Sequence, residues 1–295
     1  MTDWLPAVAR RLGGPVEVTG RTPLSGGYAA AQVERIDLRV GDRTMPVVVK
    51  PAAAVEVAAM RAVAVVEGVG APRMLHPDPL VLTWVDGDPA AEGGPVPADV
   101  WRTLARVHRH WLRKRARGIP VVDAAWWAAL CERTLVALRG AARRTGEAEY
   151  ERAAGPVAEW AADPRIRAAL ALLPRTLCHG DPHRGNMLGT ASTQWALIDW
   201  GNARMAPAGL DLAVLEAQGR SDDAAYRAEA PALPGQLAAV EREWARAHVH
   251  VQYLGFAADH LGAARVAEMI ETAAESLSRL GPALTECTNG TFVQT

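Results

Sequence analysis

Lysine is nearly missing from this chain: of 32 basic residues, 30 are arginines and the two lysines are Lys50 and Lys114. A lysine kept in so arginine-rich a sequence is a candidate for a task that needs a compact ammonium, not a planar guanidinium. Chance retention is the plain alternative. Three cysteines, Cys131, Cys178 and Cys287, are too few and too scattered for a disulfide framework or a zinc cage. No stretch of 18 apolar residues runs without a charge, which excludes a membrane-spanning helix. The formal net charge is only −1, which excludes a nucleic-acid protein held by bulk charge. The opening MTDWLPAVARRLGG has no basic start followed by an apolar core, so no secretory signal is expected. Repeats and low-complexity tracts are also missing. A soluble protein of the reducing cytoplasm is expected, with no nucleic-acid or membrane partner.

What is present is an ordinary globular mixture, 49% apolar and 22% charged over 295 residues, enough for one large domain or two coupled lobes. The first 85 residues read as β-rich. A short helix is expected over 3–12, capped by Asp3 and stopped by Gly13-Gly14. VEVTG (16–20), a turn at Ser25-Gly26-Gly27, an extended run from Tyr28 to Val40 and a hairpin turn at Gly41-Asp42 follow. MPVVVK (45–50) reads as a buried strand ending in Lys50, and Ala53 to Glu67 as a helix stopped by Gly68. PLVLTW (79–84) is another strand. A Gly/Pro-rich stretch then runs to Pro97 and marks the best lobe boundary. Beyond it the pattern is helical over 98–117, 123–140, 147–161, 164–172 and 234–280, with 176–200 as the interruption.

That interruption holds the chemistry. LCHGDPHRGNMLGTASTQWALIDW (177–200) crowds His179, Asp181, His183, Asn186 and Asp199 into one window. Asp181 lies in a turn between Gly180 and Pro182, and Asp199 ends an apolar strand thirteen residues after Asn186. Three readings are open. The window is a structural loop; or His179, Asp181 and His183 form a metal cluster for hydrolysis; or it serves phosphoryl transfer. In the last case an amide and a carboxylate oxygen hold a hard cation, and a second carboxylate takes a hydroxyl proton.

HGDPHRGN followed by LIDW resembles the catalytic signature of the aminoglycoside phosphotransferase and choline kinase family, a branch of the protein-kinase-like fold. GLDLA, with Asp211 twelve residues after Asp199, also matches. The resemblance implies an α+β, bilobal fold: a β-rich nucleotide-binding lobe over 1–85 including the hinge, and a mostly helical catalytic and acceptor-binding lobe over 86–295. The active site would sit in the cleft between them. It implies Asp181 as catalytic base, Asn186 and Asp199 as Mg²⁺ ligands, and His179 and Asp211 as loop support. Ser25, Gly26 and Gly27 would cover the phosphates of ATP or GTP, since glycine lets backbone N–H groups approach closely. Lys50 would neutralise them, held by Glu56, for which a plain helix-start role is the alternative and Glu67 the lesser partner. Thr83, Trp84 and Val85 would form the hinge that meets the base, or else a plain strand end. His108 reads as a packing residue, and the basic run 109–118 as a solvated face. Gly201-Asn202 after IDW, and Ala29-Ala30 after the glycine turn, depart from the family pattern.

The resemblance implies a hydroxylated small molecule as acceptor. An antibiotic is the leading class (macrolide, nucleoside or aminoglycoside-like), conferring resistance. A metabolic alcohol or sugar kinase is the alternative. Aminoglycosides are polycations, and the only acidic cluster in the helical part is Asp222-Asp223. Ten tryptophans against two phenylalanines suggest broad amphipathic surfaces, with Trp126, Trp127 and Trp244 either lining such a pocket or packing the core. A monomer or homodimer is expected.

Overall fold

The computed structural model describes residues 3–24, 33–190, 194–219 and 223–291. The turn expected at Ser25, Gly26 and Gly27 lies outside them. Alternating apolar residues build an antiparallel five-stranded sheet of order β1-β2-β3-β5-β4, from β1 (Val16–Pro23), β2 (Glu34–Val40), β3 (Arg43–Lys50), β4 (Met74–Pro77) and β5 (Leu80–Thr83). Gly41, at φ 59°, makes the tight β2–β3 turn. On one face Ile36, Leu38, Val47 and Val81 bury against α1 (Leu5–Leu12). α1 begins at Trp4 without the Asp3 side-chain cap the sequence suggested and ends at Gly13, φ 78°. α2 (Ala54–Val63) closes four residues before Glu67. β4 escaped the sequence reading because MLHP is short and does not alternate cleanly.

The helical part holds α3 (Ala98–Trp111), α4 (Ala124–Thr145), α5 (Ala148–Trp160), α6 (Pro164–Leu172), α7 (Gly209–Glu216), α8 (Ala224–Arg227), α9 (Gly235–His260) and α10 (Ala263–Thr291). Asp123 caps α4 by accepting the Trp126 N–H at 2.8 Å, and Asp163 caps α6 in the same way through Arg165. The single helical period expected over 234–280 is two helices, broken at Gly262, φ 85°. The loop-rich centre contributes β7 (Thr176–Cys178), β8 (Met187–Thr190), β9 (Trp195–Leu197) and β10 (Arg204–Ala206). β7 pairs with β10, while β8 lies between β9 and β6 (Gly87–Pro89). So the Gly/Pro-rich stretch supplies a strand to the helical half. One apolar cluster joins the halves: Met60 and Leu82 pack with Trp101, Leu104, Leu177 and Trp200. Among the described residues no helix is long and apolar enough to cross a membrane.

Candidate active site

β3 ends on Lys50, and α2 starts four residues later. This geometry delivers Glu56, 3% exposed, to the ammonium at 2.7 Å. From the other half, the Asp199 carboxylate reaches the same ammonium at 3.3 Å. Burial alone would lower the Lys50 pKa, but the charges of Glu56 and Asp199 outweigh it and push the pKa up, so the ammonium stays charged. Glu56, not Glu67, is therefore the partner of the lysine.

Asp199 is exposed and sits at φ 60°, ψ 67°, left-handed backbone rare for a non-glycine residue. Such strain persists where the surroundings over-determine it. Here Ile198, just before it, donates its N–H to the Asn186 carbonyl at 2.8 Å and accepts from His179 Nε2 at 2.8 Å. Asn186 in turn donates its amide to the Asp181 carbonyl at 3.0 Å. Lys50, Asp199, Asn186 and Asp181 are thus joined through one ion pair and two hydrogen bonds, with Ile198 as the chain neighbour that carries Asp199.

His179 is fully buried. Its Nδ1 accepts the Asp181 N–H at 3.3 Å, so its proton sits on Nε2, facing the Ile198 carbonyl. Burial pushes its pKa down and keeps the ring neutral. Behind it lies Asp211, buried in the first turn of α7. Its carboxylate accepts from the N–H groups of His179 and Gly180, both at 2.8 Å, and from His108 Nε2 at 3.1 Å. Burial would raise its pKa. The hydrogen bond from His108, first, and those from the loop N–H groups overcome that and hold it below the ordinary range. His108 also meets the Tyr226 hydroxyl at 2.9 Å and is 2% exposed, a packing residue as expected.

Two residues that the sequence did not single out as functional touch Asp181. Tyr253 of α9 donates its hydroxyl to Oδ1 at 2.5 Å, and Asn202 donates its amide to Oδ2 at 3.2 Å. Burial first, then the Asp181 charge and hydrogen bond, raise the Tyr253 pKa, so it remains a donor. Asn202 stands where the sequence departs from the family pattern, and that departure was its signal. Tyr253 carried none.

Arg184 is buried, and its guanidinium holds the carbonyls of Ala91, Gly94 and Gln218. The hydrolytic metal cluster does not form, because both His179 nitrogens are already engaged and His183 Nδ1 accepts the Gly185 N–H at 3.1 Å. Trp127 and Trp244, 1% and 0% exposed, belong to the helical core. At the hinge, the Thr83 N–H goes to the Arg73 carbonyl and the Trp84 N–H to that of Pro46. Among the described residues, only Val85 of the three keeps a backbone N–H without a backbone partner. A cavity of about 960 Å³ lined by Trp84, Val85, Arg106 and Trp195 does not reach Lys50, Asp181 or Asp199.

The oxygen-only set of Asn186 and Asp199 fits a hard cation such as Mg²⁺. The Asn186 amide nitrogen is committed to Asp181, which leaves its side-chain oxygen for a ligand, and one Asp199 oxygen lies beyond the Lys50 contact.

A β-sheet half, a helical half and an ammonium bridged between them by two carboxylates define a kinase-like small-molecule phosphotransferase. The chain belongs to the phosphotransferase enzyme family (APH), whose model matches residues 21–250. No curated protein sequence matches it. Among solved structures, it is similar to a Thermobifida fusca protein described as a fructosamine-3-kinase. The two share 20% identity with a TM-score of 0.56, over 92% of this chain and 99% of that one. It is similar also to the macrolide 2′-phosphotransferase MphH of Brachybacterium faecium, at 17% identity and TM-score 0.53, over 95% and 98% of the two chains. A third is the spectinomycin phosphotransferase APH(9)-Ia, solved with ADP and spectinomycin, at 11% identity and TM-score 0.51, over 90% and 94%. At these identities the likeness is one of fold.

Proposed function

We propose that the chain transfers the γ-phosphoryl group of ATP or GTP to a hydroxyl of a small molecule, with Asp181 as the catalytic base. The observation that carries this is Lys50 held between Glu56 at 2.7 Å and Asp199 at 3.3 Å, one link from the Asn186–Asp181 loop. In this reading residues 1–85 bind nucleotide, with Ser25, Gly26 and Gly27 over the phosphates and the hinge at Thr83, Trp84 and Val85. Residues 86–295 supply the catalytic loop and the acceptor site. Asn186 and Asp199 would hold Mg²⁺, which supplies neutralising charge at the phosphates. Lys50 contacts phosphate oxygens and Glu56 keeps its ammonium in place. Asp181, fixed by Tyr253 and Asn202, orients the acceptor hydroxyl. As that oxygen bonds to phosphorus, the bond to the β-phosphate oxygen breaks, the nucleoside diphosphate leaves and the proton passes to Asp181. Positioning and charge supply most of the acceleration.

For the acceptor we read an antibiotic hydroxyl and a role in resistance, in line with the macrolide and spectinomycin enzymes of the same fold. A metabolic kinase is the second reading, favoured by the fructosamine-3-kinase description. Expression in a susceptible host, with mass spectrometry for an added phosphate on the drug, separates the two. Asp181→Asn tests the base: turnover is expected to fall by about 100-fold or more with nucleotide affinity kept. Turnover near the parent level would reject the assignment.

A further inference from the structure

Tyr253 joins two places: its hydroxyl is bonded to Asp181, and the residue lines a cavity of about 230 Å³. Val249 and Phe256 of α9, Leu261 and Met269 provide the apolar lining, and His183, His250 and Arg265 are its basic residues. Phe256 and Leu261 are 40% and 53% exposed, two of the five large apolar side chains left open to solvent among the described residues. Isolated exposed leucines need no explanation, but a phenylalanine and a leucine rimming one cavity beside a reactive carboxylate do.

The charge of the lining decides what fits. Among the described residues no carboxylate lines the cavity. His183 Nδ1 accepts the Gly185 N–H, so its Nε2 carries the proton and is a donor. Arg265 is steadied by Glu268 at 2.8 Å, which stands outside the lining. A cationic guest would find donors and a guanidinium with nothing to neutralise it, and burying such a charge unpaired is costly.

We propose that this cavity seats the acceptor, and that the acceptor is a hydroxylated molecule with an apolar body and no positive charge. This rests on the phosphotransferase reading above. The apolar body lies on Phe256, Leu261 and Met269, His183 donates to an acceptor oxygen, and the Tyr253 edge leads the hydroxyl to Asp181. Polycationic and quaternary-ammonium acceptors are excluded by the same lining.

Binding, read without turnover, tests the idea separately from catalysis. Three probes are titrated into the full chain with MgADP present: chloramphenicol as an uncharged aryl diol, choline as a small cation and kanamycin as a polycation. Chloramphenicol is expected to bind with Kd below about 1 mM, and the two cations at least about ten-fold more weakly. Phe256→Glu, at an exposed position, should cost chloramphenicol about ten-fold or more in affinity while leaving MgATP affinity and the melting temperature in place. Leu261→Glu, also at an exposed position, serves as a second variant with the same expectation for chloramphenicol. No chloramphenicol binding, equal or tighter binding of choline or kanamycin, or chloramphenicol affinity unchanged in both variants overturns the proposal. Failure of the phosphotransferase reading shows elsewhere, as loss of MgATP binding by the parent chain or as undiminished turnover in Asp181→Asn.

Discussion

Among the described residues Lys50 does what no arginine is placed to do: one ammonium, 18% exposed at the side chain, meets two carboxylates from different halves of the molecule. A guanidinium there would be wider and planar, with its donors fixed in a fork. Lys50→Arg is therefore expected to keep the fold and weaken MgATP binding by about ten-fold or more, read by titration. Lys50→Ala should also cost about 3 kcal/mol of stability, because the buried Glu56 carboxylate is left unpaired. A destabilisation below about 1 kcal/mol in urea unfolding would show that the pair contributes little. The survival of this lysine in an arginine-rich sequence was a legible signal, and Glu56 was legible as the first acid of the next helix.

His248 behaves differently. It is fully buried between the rings of Trp127 and Trp244, and neither of its nitrogens has a partner. Burial, with the Arg204 charge adding to it, pushes its pKa down to about 3. In the unfolded chain the ring titrates near 6.5. Its neutral form thus favours the fold fully above that value, and the benefit is lost as pH falls from about 6.5 towards 3, by roughly 1 kcal/mol per pH unit. Burial lowers His179 and His250 as well, so they act in the same direction. His248→Phe removes two unpaired buried nitrogens. Melting temperatures from pH 7 to pH 4 should show the variant equal to the parent at neutral pH and increasingly ahead in acid. Parallel curves would mean that His248 is not the acid-sensitive group.

At the scale of elements, α7 braces the catalytic loop. Asp211 in its first turn receives two loop N–H groups and a buried histidine, and its pKa is held down by those donors. A carboxylate with a lowered pKa stabilises the fold above its unfolded value near 3.9, and that stability is lost as pH falls through the lower folded value. Asp211→Asn offers one acceptor oxygen in place of two and turns an NH₂ group towards donors. A loss of about 3 kcal/mol and of most turnover is expected, together with a shallower decline of stability below pH 4. A variant with parent stability would move the bracing role elsewhere. The element itself was not read from the sequence: GLDLAVLE is too apolar and too short for a helical period, although GLDLA was recognised as a motif. Contiguous signatures such as 177–200 survive in one dimension. Tyr253 does not, because it meets Asp181 from 72 residues away on a helix whose visible period belongs to core residues such as Trp244 and Leu254.

The two halves of the molecule must keep one register for Lys50 to reach Asp199, and the contact that sets it lies at Gly70. This glycine, in the connection from α2 to β4, accepts the Leu197 N–H at 2.8 Å and donates its own N–H to Thr103 Oγ1 at 3.1 Å. It thereby clamps the N-terminal sheet to β9, the strand that leads into Asp199, and to α3. A Cβ added there would lie 2.2 Å from the Trp195 carbonyl oxygen, a backbone atom that cannot swing aside. Gly70→Ala must therefore separate the connection from β9. The shared apolar cluster of Met60, Leu82, Trp101 and Trp200 implies that the parent unfolds as one cooperative unit. The variant is expected to lose about 2 kcal/mol or more and to bind MgATP about ten-fold more weakly, because β9 carries Asp199 away from Lys50 as it shifts. Calorimetry should show a single transition in the parent and a lower or split one in Gly70→Ala. If nucleotide affinity stays at the parent level while stability falls, the lobes are registered by the apolar cluster alone, and the Gly70 clamp only stabilises.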